Sequence, residues 1–195
     1  MGTAIADGVE LIAIDPHGSS IRTHEVREGH EDEAEHLSKA FLANLDAGGV
    51  ADKVTYIRKS SHAALWDVDG SVDLLYIDGS HNFGPARNDM VEWGSRVVPG
   101  GTMLIHDSFT SAGVTLAILA TLVTGREFDY VGRTGSLTEY RRARLGLSGR
   151  LRNAARMLGE LPYFVRNVVV EVLLLMRLRP LTKYLGYDTS LDWPH

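Results

Sequence analysis

The stretch VDLLYIDGSH, Val72–His81, decides the fold, because it is a short apolar run that ends in an acid. Its first six positions are typical of a buried strand, and Asp78 ends the run. The stretch GGTMLIHDS, Gly100–Ser108, repeats the pattern and ends at His106 and Asp107. A helix-like segment lies between the two runs and closes at a Pro-Gly-Gly sequence. Strand, crossover helix and strand form the unit of a parallel sheet, so we predict that both acids emerge at the same edge of that sheet.

The rest of the first 144 residues alternates strand and helix patterns. Strand patterns lie at 9–15, 53–59, 72–77 and 102–105, helix patterns at 31–45, 60–66, 82–98 and 111–124, and a hairpin pattern over 128–141. This order predicts an α/β fold, a doubly wound Rossmann-like and mostly parallel sheet with an antiparallel hairpin at its edge. From residue 145 only helix patterns follow. We therefore predict an α/β domain over residues 1–144 and a C-terminal helical extension over residues 145–195.

The helical extension contains a strongly apolar run, Val168–Met176, around the single acid Glu171. Such a run is not needed to close a sheet, and three roles are open to it. It can pack on the α/β domain, pair with a second copy in a homo-oligomer, or lie on a membrane surface beside its arginines. We favour packing or pairing. The run is too short to span a bilayer, and no other apolar run reaches the roughly 18 residues of a membrane span, so we predict no membrane span.

Composition excludes several classes of function. The chain has 195 residues and a formal net charge of −5, which argues against general nucleic-acid binding because that activity needs a basic surface. It has no cysteine, which excludes disulfides, thiolate metal sites and cysteine nucleophiles. The first residues lack the basic and apolar segments of a signal peptide, so we predict a cytoplasmic protein.

The two acids at the strand ends, together with His81, are suited to chemistry on a hydroxyl group. Mg²⁺ prefers oxygen ligands and keeps open positions, so Asp78 and Asp107 could hold it. A histidine that titrates near pH 7 could then remove a proton. A structural alternative is that both acids cap the following helices and that His81 is a surface histidine. Strand alternation places His106 opposite Asp107, so for His106 we favour a structural role.

These residues also carry a resemblance to a known family. The set formed by IDGSH at 77–81, VPGG at 98–101 and IHDS at 105–108, with AIDPH at 13–17, resembles the class I S-adenosylmethionine-dependent methyltransferases. More narrowly, it is similar to the group that includes macrolide-sugar O-methyltransferases and cephalosporin hydroxylase-like proteins. The resemblance covers roughly residues 8–140.

The resemblance implies a set of cofactor contacts. Asp15, which closes the strand pattern at 9–15, matches the acid that accepts hydrogen bonds from the ribose hydroxyls of S-adenosylmethionine. Ser60 and Ser61 match the positions that contact its adenine. The resemblance also implies that Asp78 binds the cofactor.

The resemblance also implies the acceptor chemistry. Asp78 and Asp107 match the acids that hold a divalent cation, Mg²⁺ or a similar ion, in metal-dependent members. His81 matches the general base of the sugar O-methyltransferases. The implied function is a metal-dependent O-methyltransferase that acts on a hydroxyl of a sugar or another small polar metabolite.

The sequence departs from the family before its first matched strand. The family begins with a strand and a glycine-rich turn, and only residues 1–8 precede the strand pattern here. In the family that first strand lies between the strands matched at 10–15 and 72–77, so we expect the sheet either to have a gap or to re-pair. Either the sequence begins downstream of the true start of the protein, or the protein is shortened and its cofactor binding is impaired. The alternative to an enzyme is therefore a shortened, non-catalytic methyltransferase-like protein that acts as a partner subunit.

Overall fold

The structure is a computed structural model that describes the backbone of residues 8–17 and 30–187 and the side chains of 8–17 and 35–187. The chain forms two compact units, which divide between Asp69 and Gly70. The helices that follow residue 145 belong to the second unit. The domain boundary that the sequence predicts at residue 144 stays a prediction.

The described residues of the first unit form two parallel strands, two α-helices and a 3₁₀ helix at Ala51–Lys53. Strand β1 (Leu11–Ile14) pairs with β2 (Val54–Ile57), and Ile14 lies opposite Ile57. Helix α1 (His30–Ala47) lies between them in sequence, and α2 (Ser61–Ala64) follows β2. The Ser60 side chain caps α2 by accepting a hydrogen bond from the Ala63 amide at 3.3 Å, as the sequence predicts.

The second unit is built on a four-stranded sheet in the order β3-β4-β6-β5. Its first pair is parallel and consists of β3 (Val72–Ile77) and β4 (Val97–Ile105). The hairpin of β5 (Phe128–Thr134) and β6 (Leu137–Arg142) continues the sheet antiparallel from β4. The α/β class and the edge hairpin are therefore confirmed.

Two helices between the strands supply much of the core of the second unit. Helix α3 (Phe83–Glu92) connects β3 to β4 through a 3₁₀ turn at Gly94–Arg96, and α4 (Ala112–Thr121) follows β4. They pack against each other and bury apolar side chains together with the sheet. Each fully buried large apolar side chain contributes about 1.5–3 kcal/mol to folding. The largest of these buried residues are Met90, Met103, Ile105, Phe109, Ile118 and Tyr140.

The C-terminal helices attach to the hairpin and to the β4–α4 loop through buried polar contacts. They are α5 (Leu147–Leu158), α6 (Leu161–Leu175) and the short α7 (Arg179–Thr182). Asn153 of α5 accepts from the Tyr130 amide at 2.7 Å and donates to the Phe128 carbonyl at 3.0 Å. Because each buried polar group has a partner, the contact adds specificity without a desolvation penalty.

The described strands form two separate sheets, and the gap expected from the family resemblance stays a prediction. Strands β1 and β2 form one two-stranded sheet, β3 to β6 form the other, and no described strand pairs with members of both. The helix pattern predicted over 82–98 is shorter in the structure, because β4 already begins at Val97. No helix among the described residues is long and apolar enough to cross a membrane.

Candidate active site

The parallel pair β3–β4 brings its two terminal acids to one edge. Ile77 and Ile105 are register partners, and the His106 amide donates to the Ile77 carbonyl at 2.9 Å, which extends the ladder by one residue. Asp78 follows Ile77 directly, and Asp107 lies two residues after Ile105. The predicted meeting of the two acids at the carboxyl edge of the sheet is therefore confirmed.

The chain turns sharply where β4 ends. Asp107 and Phe109 both have positive φ, at 54° and 60°, which is uncommon for residues with a side chain. The Ser111 amide donates to the Asp107 carbonyl at 3.0 Å and closes this turn. Such backbone conformations cost about 1–3 kcal/mol each and persist only where surrounding contacts hold them.

This turn makes the predicted placement of His106 wrong. Strand alternation would put His106 and Asp107 on opposite faces, but the positive φ of Asp107 ends the alternation. His106 Nδ1 lies 3.2 Å from Asp78 Oδ1 and 3.3 Å from Asp107 Oδ1. His106 therefore belongs to the same cluster as the two acids.

Asp78, His106 and Asp107 form a group that could hold a metal ion. Their ligand atoms all lie within 4.8 Å of one another. Carboxylate oxygens are ligands suited to Mg²⁺ and Mn²⁺, whereas an imidazole nitrogen suits transition-metal ions, so this mixed donor set fits a divalent cation without selecting Mg²⁺. Adjacent ligands of an octahedral Mg²⁺ lie about 3 Å apart, which follows from a bond length of about 2.1 Å. The two distances from His106 Nδ1 to the carboxylates are close to that value.

Two further observations fit a cation at this position. The Nδ1 atom of His106 is buried and has no hydrogen-bond partner of good geometry among the described residues, although two carboxylates lie near it. A buried nitrogen without a hydrogen bond is costly unless another group binds it. A cavity of about 10 Å³ is lined by all three side chains, which is room for about one water-sized sphere.

His81 contacts the buried carboxylate of the cluster. Its Nε2 lies 2.7 Å from Asp107 Oδ2, and Asp107 is only 6% exposed. The backbone of His81 is also held, because the Ser111 hydroxyl donates to its carbonyl at 3.4 Å. Gly113 on α4 lies so close that a Cβ atom there would stand 2.0 Å from that carbonyl oxygen. Asp107 thus holds one nitrogen of the imidazole, whose side chain is 61% exposed, and the start of α4 holds the backbone of His81.

Tyr76 is a site residue that the sequence analysis did not single out. Its hydroxyl donates to Asp78 Oδ2 at 3.2 Å. Burial raises the pKa of the Tyr76 hydroxyl, and the negative charge of Asp78 raises it further, so the hydroxyl keeps its proton and remains a donor. The sequence could have indicated Tyr76 as a site residue, because Tyr76 lies two residues before Asp78 and side chains at that spacing share one face of a strand.

Among the described residues, neither Asp78 nor Asp107 caps the helix that follows it. The N-cap of α3 is Asn82 and the N-cap of α4 is Ser111, so neither Asp78 nor Asp107 occupies a cap position. The Asp107 carboxylate instead lies beside two histidines. The alternative of helix capping by these acids is therefore wrong.

The three cofactor residues predicted in the first unit follow its two parallel strands. The Asp15 amide donates to the Ile57 carbonyl at 3.2 Å, so Asp15 lies at the carboxyl edge of β1 and β2, and Ser60 and Ser61 follow β2 at the start of α2. Asp15 Oδ1 accepts a hydrogen bond from the His17 amide at 2.6 Å, and the carboxylate is exposed. Their roles toward a cofactor stay predictions.

Comparisons with known proteins agree with this architecture. The structure is similar to the O-methyltransferase NovP, with 15% sequence identity and a TM-score of 0.50, over 69% of this chain and 60% of that chain. An O-methyltransferase of Streptomyces achromogenes, TomG, gives 13% identity and a TM-score of 0.48 over 73% and 66% of the two chains. The chain thus spans about 60% of the length of NovP.

Sequence comparison places the site inside a known domain. No curated protein sequence matches the chain. A family model described as a methyltransferase domain matches residues 1–108, which is more than half of the chain and contains every predicted site residue from Asp15 to Asp107. The chain therefore belongs to the methyltransferase-domain family.

Proposed function

We propose that the protein is an S-adenosylmethionine-dependent O-methyltransferase that uses a divalent cation and acts on a hydroxyl of a sugar or another small polar metabolite. Membership of the methyltransferase-domain family supports the reaction class. The contact between His81 and Asp107, beside a three-residue metal-ligand cluster, supports transfer to oxygen. That contact is the observation that carries the proposal.

The geometry of His81 identifies the atom that would accept the proton. Nε2 lies 2.7 Å from Asp107 Oδ2, so in a neutral imidazole this nitrogen carries the hydrogen and donates it. Nδ1 then presents its lone pair to the acceptor hydroxyl. Asp107 fixes this tautomer and stabilises the imidazolium that forms when the hydroxyl proton is taken up.

Asp78, His106 and Asp107 would hold the cation. When bound, a divalent cation lowers the pKa of an acceptor hydroxyl and orients it. Tyr76 fixes the Asp78 carboxylate by donating to its second oxygen. This support leaves one oxygen of Asp78 directed at the cluster, since Tyr76 contacts Oδ2 while His106 faces Oδ1.

Asp15, Ser60 and Ser61 of the first unit would contact the methyl donor in this proposal. S-adenosylmethionine supplies an activated methyl group on a sulfonium. A carboxylate such as that of Asp15 can accept hydrogen bonds from both ribose hydroxyls at once. The test of these residues is separate from the test of the metal site.

Calorimetric titration of the full chain tests both sites. We expect binding of S-adenosylhomocysteine and of Mn²⁺ or Mg²⁺ to the wild-type chain. Asp107→Asn and His106→Gln should weaken metal binding at least about 10-fold. Asp73→Asn is the matched control, because Asp73 is an exposed acid on the same strand as the site, β3. Asp15→Ala should weaken binding of S-adenosylhomocysteine and leave metal binding unchanged.

A methyl-transfer assay over a panel of sugars and small alcohols tests the base. His81→Gln should retain metal binding and lose about 10²–10⁴-fold in rate, the usual contribution of a general base. Metal binding by the wild-type chain with no binding of S-adenosylhomocysteine would favour the non-catalytic partner subunit instead. Unchanged metal binding in both Asp107→Asn and His106→Gln would remove the metal assignment.

A further inference from the structure

Helix α6 presents to its exposed side a stripe made only of apolar residues. Between Val165 and Met176 every exposed position is valine, leucine or methionine. The opposite side of the helix is packed into the protein through Asn167 and Val170, which are fully buried. The outer stripe, which we call the α6 stripe, consists of Val165, Val169, Val172, Leu175 and Met176, between 40% and 76% exposed.

The spacing of the α6 stripe is that of a helix–helix interface. Val165, Val169, Val172 and Met176 are separated by four, three and four residues. This is the heptad spacing that keeps apolar side chains facing a partner helix. Valine occupies three consecutive positions of this spacing, so the pattern indicates that α6 faces a partner helix but does not by itself set the number of helices. Valine is a poorer helix former than alanine, so the three exposed valines do not stabilise α6 as an isolated helix.

The area of this surface approaches what a stable dimer needs. Leu181 and Tyr184, which are 45% and 77% exposed, follow the stripe beyond the end of α6. Together with the stripe they expose on the order of 700 Å², above the 300–600 Å² of the largest patch on a typical monomer and close to the roughly 800 Å² that each partner buries in a standard interface.

The burial of the inner face of α6 favours a second copy of this chain over a lipid surface. A helix that lies on a membrane keeps a charged face toward water, whereas the inner face of α6 is buried in its own protein. Arg166 turns inward and donates to the Leu185 and Gly186 carbonyls at 2.6 and 2.9 Å. The five residues of the stripe carry no charge, so a two-fold symmetric contact between two stripes brings no like charges together, while the exposed Arg177 and Arg179 follow the stripe in sequence.

We infer that the α6 stripe is the interface of a homodimer, in which α6 of one protomer packs on α6 of its partner. The same helix holds the active-site loop on its inner side, since Asn167 donates to the Phe109 carbonyl at 3.1 Å. Dimerisation would therefore cover the outer side of the helix that supports the loop of Asp107. The inference does not depend on the proposed reaction.

The oligomeric state of the full chain tests this inference. Analytical ultracentrifugation should give a mass of twice 21.4 kDa at micromolar concentration. Val172→Lys places a charge in the middle of the stripe and should weaken the dimer at least about 100-fold. Val91→Lys is the matched control, because Val91 is a similarly exposed valine on helix α3, outside the stripe. Both variants should keep the wild-type circular dichroism, since lysine is a better helix former than valine.

Cross-linking gives a second readout that does not depend on a charge. The chain has no cysteine, so a single introduced thiol reports its own neighbours. Val172→Cys should form an interchain disulfide under mild oxidation at low micromolar concentration, whereas Val91→Cys should not. A monomeric wild-type chain at 100-fold higher concentration would overturn the inference, and so would a dimer that Val172→Lys leaves intact. Flotation of a monomeric chain with vesicles that contain phosphatidylglycerol would assign the stripe to membranes instead.

Discussion

At the scale of single residues, Gly113 controls the position of the proposed base. A Cβ atom at this position would lie 2.0 Å from the His81 carbonyl oxygen and 2.9 Å from the Phe83 nitrogen, and both of these are backbone atoms. Gly113→Ala should therefore displace the start of α4 from the His81 segment and cost about 1–3 kcal/mol of stability. We expect methyl transfer to fall with it, because the imidazole would move away from Asp107. Urea unfolding and an activity assay measure the two effects.

Gly84→Ala is the control for this substitution. Gly84 lies in the first turn of α3, and a Cβ atom there meets nothing within 4 Å. Replacing glycine by alanine at such a helical position should stabilise the protein by about 0.4–1 kcal/mol. If both variants are equally destabilised, the close approach at Gly113 is not what positions His81.

Tyr130 and Tyr140 should make the protein less stable in alkali. Burial raises the pKa of both hydroxyls, and for Tyr130 the hydrogen bond to Glu160 at 2.7 Å raises it further. In the unfolded chain both groups release their protons near pH 10, while the folded chain retains them. The unfolded state therefore binds fewer protons there, and stability falls as the pH rises above about 10. Chemical denaturation between pH 7 and 11 measures this fall.

Phenylalanine at each position separates the two tyrosines. The Tyr140 hydroxyl is buried without a hydrogen-bond partner of good geometry in the described part of the chain, so Tyr140→Phe should be neutral or stabilising by up to about 1 kcal/mol at pH 7. Tyr130→Phe loses its bond to a carboxylate and should cost about 1–3 kcal/mol. Each variant should show a smaller loss between pH 10 and 11 than the wild-type chain. A steeper loss in either variant would contradict the argument.

Periodicity explains which site residues could be predicted from the sequence. Asp78 and Asp107 could be found because each ends an apolar run, and His81 because it follows Asp78 by three residues. The position of His106 was predicted wrongly, because the positive φ of Asp107 breaks the alternation of the strand. No pattern in the sequence indicates this φ angle. A backbone conformation held by tertiary contacts is not readable from local pattern.

At the scale of elements, α6 supports the loop that carries the proposed metal ligands. Asn167 is fully buried and donates to the Phe109 carbonyl at 3.1 Å, two residues from Asp107. Asn167→Ala should leave that carbonyl buried without its partner and cost about 1–3 kcal/mol. We also expect weaker metal binding, because the turn between Asp107 and Phe109 loses a contact that maintains its positive φ angles.

Asn153→Ala is the matched comparison for Asn167→Ala. Asn153 is equally buried, but it joins α5 to strand β5 and does not contact the loop of Asp107. It should lose a similar amount of stability and retain the metal affinity of the wild-type chain. Calorimetric titration with Mn²⁺ at a temperature where both variants are folded distinguishes them. Equal metal affinity in the two variants would remove the supporting role of Asn167.

The type of each element was easier to predict than its bounds. Strand β3 was predicted with its observed bounds, because Asp-Gly follows it directly. Strand β4 begins at Val97 rather than at residue 102, since the Pro-Gly-Gly sequence forms an irregularity inside the strand, with Gly100 at φ 82°. The sequence analysis interpreted this Pro-Gly-Gly sequence as the end of the preceding helix. Glycine and proline mark a break in regular structure, but they do not say on which side of the break a strand begins.

At the scale of the whole molecule, the division of the strands into two sheets could be expected from the family resemblance. The resemblance placed a further strand between the strands at 10–15 and 72–77, and the described strands indeed fall into two sheets. The resemblance also gave the methyltransferase class, which the family match confirms. Exposure of the α6 stripe could not be predicted, because the composition of Val168–Met176 is the same for a helix buried on all sides and for a helix with an open face.

The two compact units should differ strongly in local stability. The main apolar core lies in the second unit, with members from Ile77 to Met157. The first unit has few buried apolar side chains among its described residues, namely Val50, Ala64 and Val68, and its two-stranded sheet contains no fully buried residue. A two-stranded sheet is marginal on its own, since it can bury little apolar surface. Strands β1 and β2 should therefore open at a lower free energy than β3, β4 and β6.

Hydrogen–deuterium exchange followed by mass spectrometry measures this difference. Peptides that contain Met103–Ile105 or Thr138–Tyr140 should exchange slowest, at rates set by global unfolding, because β4 and β6 are the two central strands of the four-stranded sheet. Peptides from 11–14 and 54–57 should exchange at least about 10-fold faster, which corresponds to about 1.4 kcal/mol. S-adenosylhomocysteine should slow exchange around Asp15 and Ser60 if these residues hold the methyl donor, because binding stabilises only the folded form. Equal protection of both units without ligand would show that the first unit opens only together with the second.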